Sequence, residues 1–352
     1  MLLYSIYRKK SLKICDQSGG KENFILPPPD GRKETVMPAV FDLHCDTLTR
    51  HLYRPHEEEP DILDDPHYHL ALRKIPAGTR WVQCFAVFMP DDKRGEDAAA
   101  FFDRAAAGFY RQAERHKDRL IPCRSLAAME EAVRQGKCAA LLTIEGGSAL
   151  AGKLERVKTV YDAGVRMMTL TWNGPNELAS GSDTANGFSP FGREAVAEME
   201  RQGIIVDVSH LNDRGFEELL GFARKPFVAS HSNARSVCGH RRNLPDEFIR
   251  EMAARGGLIG LNYARSFLSD GREGSLDDLY RHVCRFLELG AGECLALGSD
   301  YDGTDIHPDL DSAEKSLGIR DYLIGRGIPA RTADGILFDN AWRFFRTWLA
   351  VE

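Results

Sequence analysis

The sequence predicts an α/β fold, a (β/α)8 or TIM barrel with its functional site at the carboxyl ends of the strands. Eight short apolar runs, each four to eight residues long, recur along the chain, and amphipathic helical patterns separate them. The runs are nearly continuous in apolar residues rather than alternating, which is typical of strands buried on both faces of a parallel sheet. An open, doubly wound sheet is the alternative, but no Gly-x-Gly-x-x-Gly turn follows the first run.

The predicted strands and helices alternate in order along the chain. The strands are VFDL near 39–42, VQCFAVFM (82–89), AALLTIE (139–145), RMMTLTW (166–172), IIVDVS (204–209), FVASH (227–231), LIGLN (258–262) and CLALGSD (294–300). Between them, segment 96–116 is Ala-rich and amphipathic, and segment 189–203 begins with Ser-Pro and ends at Gly, the usual start and stop signals of a helix. The segments NDRGFEELLGFAR, LPDEFIREMAARGG and SLDDLYRHVCRFLELG follow the same plan. This alternation is the pattern of a barrel of parallel strands.

The alternation defines a single barrel domain over residues 37–352 and leaves out residues 1–36. The motifs SGG, PPP and DG break up this first segment and favour turns or extended chain. Its apolar stretch precedes the Arg8-Lys9-Lys10 cluster, which is the reverse of the order in a signal peptide. We expect residues 1–36 to be a loose tail, an upstream extension of a protein that begins at Met37.

Composition excludes several classes of protein. The chain of 352 residues has 46 Lys plus Arg against 52 Asp plus Glu, and a net charge of -6 argues against a nucleic-acid partner. No run of 18 apolar residues is present, so we expect no membrane span. None of the eight cysteines forms a Cys-x-x-Cys pair, and several lie within apolar runs. We interpret them as small buried side chains in a reducing compartment, which predicts a cytoplasmic protein.

Polar residues follow five of the eight runs, where the strands of a barrel bring active-site residues together. These ends carry His44-Cys45-Asp46, Glu145-Gly146-Gly147, Ser209-His210, Ser230-His231-Ser232 and Ser299-Asp300-Tyr301-Asp302-Gly303. His44 and Asp46 are two residues apart, so in an extended segment both side chains point the same way. Three imidazoles and up to three carboxylates suit divalent metals, zinc foremost. This set exceeds what one open catalytic zinc takes, which indicates two metals; Glu145 is the candidate bridge, since two small glycines follow it.

The other three strand ends carry Met89-Pro90, Trp172-Asn173 and Asn262-Tyr263. Of these, we expect Trp172, Asn173 and Asn262 to contact a substrate. Cys45 lies between two predicted ligands, and strand alternation directs its side chain away from the metals. The serines at the strand ends do not predict a serine hydrolase, because no Gly-x-Ser-x-Gly elbow is present.

At these residues the chain resembles the membrane dipeptidase (renal dipeptidase-like) family, peptidase family M19, of the metal-dependent amidohydrolase barrels. The matching pieces are DLHCDT, TIEGG, GVRMMTLTWN, GFSPFGREAVAEMERQGIIVDVSH, ASHSNARSVCGHRRNLPDE and LGSDYDG. They extend from Phe41 to the C-terminal helix and do not include residues 1–36. The resemblance implies a zinc-dependent dipeptidase that hydrolyses dipeptides, with L-Xaa-D-Xaa among the candidate substrates, by a hydroxide held between two metals. A homodimer is compatible with it.

The resemblance also implies roles for individual residues. His44 and Asp46 would bind one zinc, and Glu145 would bridge it to the second. The second zinc would be held by His210 and His231. The remaining two roles are those of Asp300, the acidic residue next to the water at the metals, and Arg242, the residue that grips the free carboxylate of the substrate. A planar guanidinium suits that task, because it donates two parallel hydrogen bonds.

One position departs from the family pattern. Mammalian members place a substrate-contacting His directly after the Thr-Leu-Thr segment, where this chain has Trp172 followed by Asn173. The same metal site acting on another small amide, such as an N-acyl amino acid or a lactam, is therefore the first alternative. A non-catalytic barrel retained for binding, and a mononuclear zinc site with one structural His, are the others.

Overall fold

The computed structural model describes residues 37–50, 60–271 and 273–350, and within them nine strands form one parallel sheet. The strands are β1 (Ala39–Asp42), β2 (Arg80–Phe88), β3 (Leu120–Pro122), β4 (Cys138–Glu145), β5 (Val165–Thr169), β6 (Ile205–Asp207), β7 (Val228–Ala229), β8 (Leu258–Leu261) and β9 (Leu295–Leu297). Strand β1 pairs with both β2 and β9, and β2 pairs with β4. The sheet therefore closes on itself as an eight-stranded parallel barrel, which confirms the predicted (β/α)8 fold.

Strand β3 is the element that the sequence pattern missed. It pairs only with the beginning of β4, in the register Leu120↔Cys138 to Pro122↔Ala140. Strand β5 pairs with the later part of β4, from Leu142 to Glu145. Since β2 occupies the other edge of β4, β3 lies beside β4 where β5 does not reach, and it stands outside the ring of eight.

Helices follow the strands, and several begin at a capping Ser or Asn. They are α1 (Thr47–Arg50), α2 (Gly95–Arg115), α3 (Leu126–Arg134), α4 (Glu155–Asp162), α5 (Pro190–Gln202), α6 (Asp213–Phe222), α7 (Asp246–Ala254), α8 (Arg265–Leu268), α9 (Leu276–Glu288), α10 (Ala313–Gly325), α11 (Ala330–Asp334) and α12 (Asn340–Leu349), with a π-helical turn (Gly335–Asp339) before α12. In α5, the Ser189 hydroxyl accepts a hydrogen bond from Gly192 N, Pro190 occupies the first turn, and Gly203 ends the helix with a φ of 92°. These are the start and stop features that the sequence predicts for this helix.

The barrel interior is apolar at its lower end. One cluster of buried side chains takes one or two residues from each of the eight barrel strands, among them Phe41, Val82 and Leu141. Only the inside of a closed barrel brings all eight strands together in this way. The same cluster includes Phe345 and Leu349 of α12, so the C-terminal helix packs against this interior core. The polar strand ends are therefore left at the opposite rim.

The structure also tests the predictions on the cysteines and on membrane-spanning helices, but not the prediction on residues 1–36. The seven cysteines within the described residues are free and buried, as expected, and Cys45 lies in the apolar core. Among the described helices, none combines the length and the apolar character needed to cross a bilayer. The predicted tail over residues 1–36 lies outside the described residues and stays a prediction.

Candidate metal centre

The structure brings the six charged or imidazole side chains predicted for the site to one place at the rim of the barrel. Each of these residues is buried, with between 1% and 9% of its surface exposed: His44, Asp46, Glu145, His210, His231 and Asp300. Two overlapping groups have their ligand atoms within 4.8 Å of one another, His44 with Glu145 and His231, and His44 with Asp46 and Asp300. A cluster of buried acids and imidazoles with so little solvent contact needs internal charge compensation.

Glu145 stands between two sets of imidazoles. Its Oε1 is 2.8 Å from His210 Nε2 and 3.5 Å from His231 Nε2. Its Oε2 is 3.5 Å from His44 Nε2. The two oxygens of one carboxylate thus face different histidines, which is the arrangement needed for a carboxylate to join two cation sites.

His44 belongs to both groups of ligand atoms and lies closest to the acids of the second, Asp46 and Asp300. Its Nε2 has no hydrogen-bond partner among the described residues, although it lies 3.5 Å from Asp46 Oδ2 and 4.0 Å from Asp300 Oδ1. Asp46 Oδ1 is likewise buried without a partner. Buried polar atoms are rarely left unpaired, so these atoms mark a place for an additional charged group.

Unusual backbone geometry places these side chains. His210 and Asp300 have positive φ angles of 70° and 60°, a region that non-glycine residues seldom adopt and that costs about 1–3 kcal/mol each. Gly303 packs directly against the acids: a Cβ atom there would lie 2.0 Å from Asp46 Oδ2 and 2.7 Å from Asp300 Oδ1. Gly147, just after Glu145, is equally confined, since its Cβ would lie 2.7 Å from the Leu170 carbonyl oxygen.

The hydrogen bonds of two imidazoles show which ring nitrogen is free. His210 Nδ1 is 2.8 Å from Asn173 Oδ1, an oxygen that only accepts, so Nδ1 carries the hydrogen. His231 Nδ1 is 2.7 Å from Ser230 Oγ, whose hydrogen is donated to Asp207. Both Nε2 atoms are then bare, yet they lie 2.9 Å apart and close to Glu145 Oε1. Lone pairs at this distance repel unless a cation lies among them, so the donor set fits bound metal.

The electrostatics of the site agree with that fit. Burial and then the Arg242 cation lower the pKa of His210 to about 4, and burial and then His44 lower the pKa of His231 well below its usual range. Burial opposes the charge of Glu145, but the three imidazoles hold its pKa well below the ordinary value. Burial also opposes the charge of His44, yet Glu145 and Asp46 raise its pKa well above normal. Burial raises the pKa of Asp46 well above its ordinary value, and it also raises the pKa of Asp300. These buried carboxyl groups therefore lack the cations that would hold their negative charge.

Arg242 is buried and lines the same cavity as Asp46, Glu145, His210 and Asp300. Its Nη2 is 3.4 Å from the His231 carbonyl oxygen, and its Nε has no hydrogen-bond partner among the described residues. Burial lowers the pKa of Arg242 to about 10, which leaves the guanidinium charged at neutral pH. A buried, incompletely paired guanidinium is suited to an anionic ligand.

The three residues predicted to contact substrate lie at different depths. Trp172 and Asn173 line the cavity, and Trp172 packs edge-on against Phe88 with ring centroids 4.9 Å apart. Asn262 is fully buried behind Asp300, where its Nδ2 donates to Asp300 Oδ2 at 2.9 Å and its Oδ1 accepts from Ala264 N at 2.6 Å. This placement suits a residue that orients Asp300, and contact of Asn262 with substrate stays a prediction.

Sequence reasoning missed two buried carboxylates, Asp42 and Asp207. Asp42 accepts hydrogen bonds from Ser299 N and Ser299 Oγ, and Asp207 accepts them from Ser230 N and Ser230 Oγ. A signal for both is present in the sequence, because each is a lone acid within an apolar strand run, and a buried charge needs partners. The cavity, of about 490 Å³, is also lined by Phe267, which the sequence did not indicate.

A family model places the whole described barrel in one family. The model of the membrane dipeptidases, peptidase family M19, matches residues 34–352. The chain belongs to this family. Its members are metallopeptidases, so membership identifies a metal-dependent hydrolase that acts on dipeptides and confirms the resemblance drawn from the sequence motifs.

Solved structures show the same architecture. The crystal structure of dipeptidase AC, a metallopeptidase of family M19, is 26% identical, with a TM-score of 0.83 over 89% of this chain and 99% of that one. A metallopeptidase from Rhodobacter sphaeroides, liganded with a phosphinate mimic of the dipeptide L-Ala-D-Ala, is 24% identical, with a TM-score of 0.82 over 89% of this chain and 100% of that one. The probable dipeptidase PvdM from Pseudomonas aeruginosa is 17% identical, with a TM-score of 0.75 over 89% and 96% of the two chains.

Proposed function

We propose that this metallo-dipeptidase is a binuclear, zinc-dependent enzyme whose substrates are free dipeptides, L-Xaa-D-Xaa dipeptides among them. The observation that carries the proposal is the position of Arg242. This buried guanidinium, with an unpartnered Nε, lines a cavity of about 490 Å³. Four residues of the metal centre line the same cavity: Asp46, Glu145, His210 and Asp300. A site that combines metal ligands with a fixed cation suits a small amide that ends in a carboxylate.

The proposed ligands divide into two halves joined by Glu145. His44 and Asp46 form one half, and His210 and His231 form the other. The distances from the Glu145 oxygens to the imidazoles of both halves, 2.8 to 3.5 Å, support this division. When bound, divalent metals supply Lewis acidity, which lowers the pKa of a water towards neutrality and polarises a carbonyl group.

Asp300 is the proposed general base and acid. Its Oδ1 points towards His44, 4.0 Å from Nε2, and its Oδ2 is held by Asn262. In the proposed reaction, this carboxylate takes a proton from the attacking water and returns it to the leaving amine. A carboxylate held in one orientation at the edge of the ligand group suits that transfer, which requires hydrogen-bond reach in a fixed geometry.

The experiment that tests this function is hydrolysis of a dipeptide panel by the purified protein. The panel contains L-Xaa-L-Xaa, L-Xaa-D-Xaa and the N-acetylated form of each. We expect cleavage of the free dipeptides, its loss on chelation, and its return when zinc is added. Binding of one rather than two zinc equivalents in the active protein would refute the binuclear centre, and cleavage that survives chelation would refute metal dependence.

The wall formed by Trp172 and Phe88 favours a second candidate, hydrolysis of an N-acyl amino acid or a lactam. These two rings present apolar surface at the cavity, at the position where mammalian members carry a His. An acyl group would bury apolar area against such a wall, at about 25 cal/mol per Å². Cleavage of only the acetylated members of the panel would establish this candidate in place of the dipeptidase.

A further inference from the structure

The serines at the strand ends have no part in the proposed reaction, but one of them connects the metal centre to a buried carboxylate. Asp207, on β6, accepts four hydrogen bonds. Its Oδ1 accepts from Ser209 N at 3.0 Å and from Ser230 N at 2.9 Å. Its Oδ2 accepts from Thr169 Oγ1 at 2.5 Å and from Ser230 Oγ at 2.6 Å. The carboxylate therefore ties together the ends of three neighbouring strands.

The direction of the hydrogen bonds along this chain follows from which groups can donate. A carboxylate only accepts, so the single hydrogen of Ser230 Oγ is donated to Asp207 Oδ2. The oxygen of Ser230 can then only accept from the imidazole beside it, so His231 Nδ1 donates across the 2.7 Å contact. The Nε2 atom of His231 is left bare and directed at Glu145 Oε1, 3.5 Å away. This series of hydrogen bonds thus selects the His231 tautomer whose Nε2 can bind a metal.

The two histidines of this half are supported differently. His231 is backed by the Asp207 carboxyl group through one hydroxyl, whereas His210 is backed only by the amide oxygen of Asn173. A carboxylate behind an imidazole increases the basicity of the nitrogen that faces the metal. His231 should therefore be the stronger ligand of the pair.

A second carboxylate provides an internal comparison. Asp42 accepts from Ser299 N at 2.8 Å and from Ser299 Oγ at 2.6 Å, which reproduces the contacts of Asp207 with Ser230. Both serines directly precede a residue of the site, Asp300 in one case and His231 in the other. Ser299 Oγ also lies 3.1 Å from the His44 carbonyl oxygen and accepts from Tyr301 N, but within the described part of the chain it has no hydrogen bond with an imidazole nitrogen. The Asp42–Ser299 pair therefore joins strand ends without the connection to a ring.

We propose that Asp207 is a positioning residue of the metal centre. It acts through Ser230 to fix the tautomer of His231 and to increase the affinity of His231 for a divalent metal. This inference rests on the proposed metal centre and assigns to it two residues beyond the ligands themselves. Loss of a hydrogen-bond partner behind a metal-binding histidine typically weakens metal affinity by about 10–100-fold. That range sets the size of the effect to be measured.

The test compares Ser230→Ala with Ser299→Ala. Each change removes one hydroxyl from a buried serine that is hydrogen-bonded to an aspartate. The two variants therefore lose the same kind of hydrogen bond, and its contribution to folding stability is lost in both. Zinc affinity is measured by competition with a chromophoric chelator, in the absence of any peptide. We expect Ser230→Ala to raise the dissociation constant of one zinc equivalent by about 10–100-fold, and Ser299→Ala to change it by less than about threefold, well below that range.

A second readout separates a role in metal binding from a role in folding. The visible absorption bands of the cobalt-substituted protein should shift in Ser230→Ala but not in Ser299→Ala, because only the first change alters a ligand. Asp207→Asn, which removes the charge at the end of the chain while keeping its shape, should weaken zinc binding in the same direction. It also provides the test if Ser230→Ala does not fold.

Equal effects of the two serine variants, in zinc affinity and in the cobalt spectrum, would overturn the proposal and leave Asp207 with a purely structural role. The outcome is separate from that of the proposed function. Tight zinc binding that depends on Ser230, in a protein that cleaves no dipeptide, would sustain this inference and refute the dipeptidase. Dipeptide cleavage by the protein, with zinc affinity unchanged in Ser230→Ala, would support the dipeptidase and refute this inference.

Discussion

Replacing Gly303 by alanine tests whether close packing against this glycine sets the positions of the Asp46 and Asp300 carboxylates. The added Cβ would lie 2.0 Å from Asp46 Oδ2, 2.7 Å from Asp300 Oδ1 and 3.0 Å from Asp46 Cγ. Ordinary contact for a Cβ begins at 3.4 Å, so Asp46 Oδ2 has to move by more than 1 Å. The Asp46 carboxylate would then leave the position that faces His44 Nε2.

A displacement of this size has a predictable effect. Metal–ligand distances tolerate deviations of about 0.2 Å, and a misplacement of about 1 Å in a reacting group lowers the rate by about 10²-fold. We therefore expect Gly303→Ala to lower kcat/KM for a dipeptide by about 10²-fold and to weaken the binding of one zinc equivalent. Hydrolysis rates, chelator competition and the thermal unfolding midpoint are measured on the same preparation.

Gly318→Ala is the matched control. Gly318 lies within α10, and a Cβ there meets no atom within 4 Å. We expect this variant to keep the wild-type kcat/KM and zinc affinity. If Gly303→Ala behaved like Gly318→Ala in both measurements, Asp46 would not be held at the position described, and its assignment as a ligand would be wrong.

Three further predictions test other parts of the site and the fold. Arg242→Lys replaces the planar fork by a point charge, so KM for dipeptides should rise by about 10-fold or more, with a smaller change in kcat; steady-state kinetics showing an unchanged KM would exclude a carboxylate clamp. Asp300→Asn should lower kcat by about 10²–10⁴-fold with two zinc equivalents still bound, and near-normal turnover would remove Asp300 from proton transfer. His282 is fully buried, with its Nδ1 accepting from Ala234 N and its Nε2 donating to Leu268 O. Burial lowers its pKa from 6.5 to about 4 and outweighs the bond to Leu268 O, which acts in the opposite direction. Below pH 6.5 the unfolded chain binds a proton that the folded chain does not, so stability should fall by up to about 3 kcal/mol between pH 6.5 and 4. The unfolding midpoint of His282→Gln should vary less with pH over this range, and equal pH dependence in both proteins would contradict the assignment.

The sequence was sufficient for the barrel because its strands are short, nearly continuous apolar runs that alternate regularly with amphipathic helices. Strand β3 escaped this reasoning, since three residues that pair with only part of β4 leave no periodic pattern. The runs also overestimate strand length in places. The sequence predicts a strand over 227–231, but only Val228–Ala229 pairs, because the next two backbone N–H groups, of Ser230 and His231, donate to side chains.

The sequence was enough to predict site residues that follow a strand in a local pattern. It was not enough to predict contacts between residues far apart in the sequence. His44 and Glu145 follow apolar runs directly and could be named from the sequence. The confinement of Asp46 by Gly303 joins positions 257 residues apart, and no local pattern records it. Asp207 shows in the sequence as an acid within an apolar run, but that fact alone does not identify Ser230 as its partner. Closure of the barrel makes these contacts, and side-chain geometry is needed to find them.

The most direct test of the metal centre is anomalous diffraction at the zinc absorption edge from crystals of the zinc-loaded protein. Two peaks are predicted, both bonded to Glu145, one shared with His44 and Asp46 and the other with His210 and His231. A single peak, or two peaks that do not share Glu145, would contradict the binuclear centre from which the proposed dipeptide hydrolysis is derived.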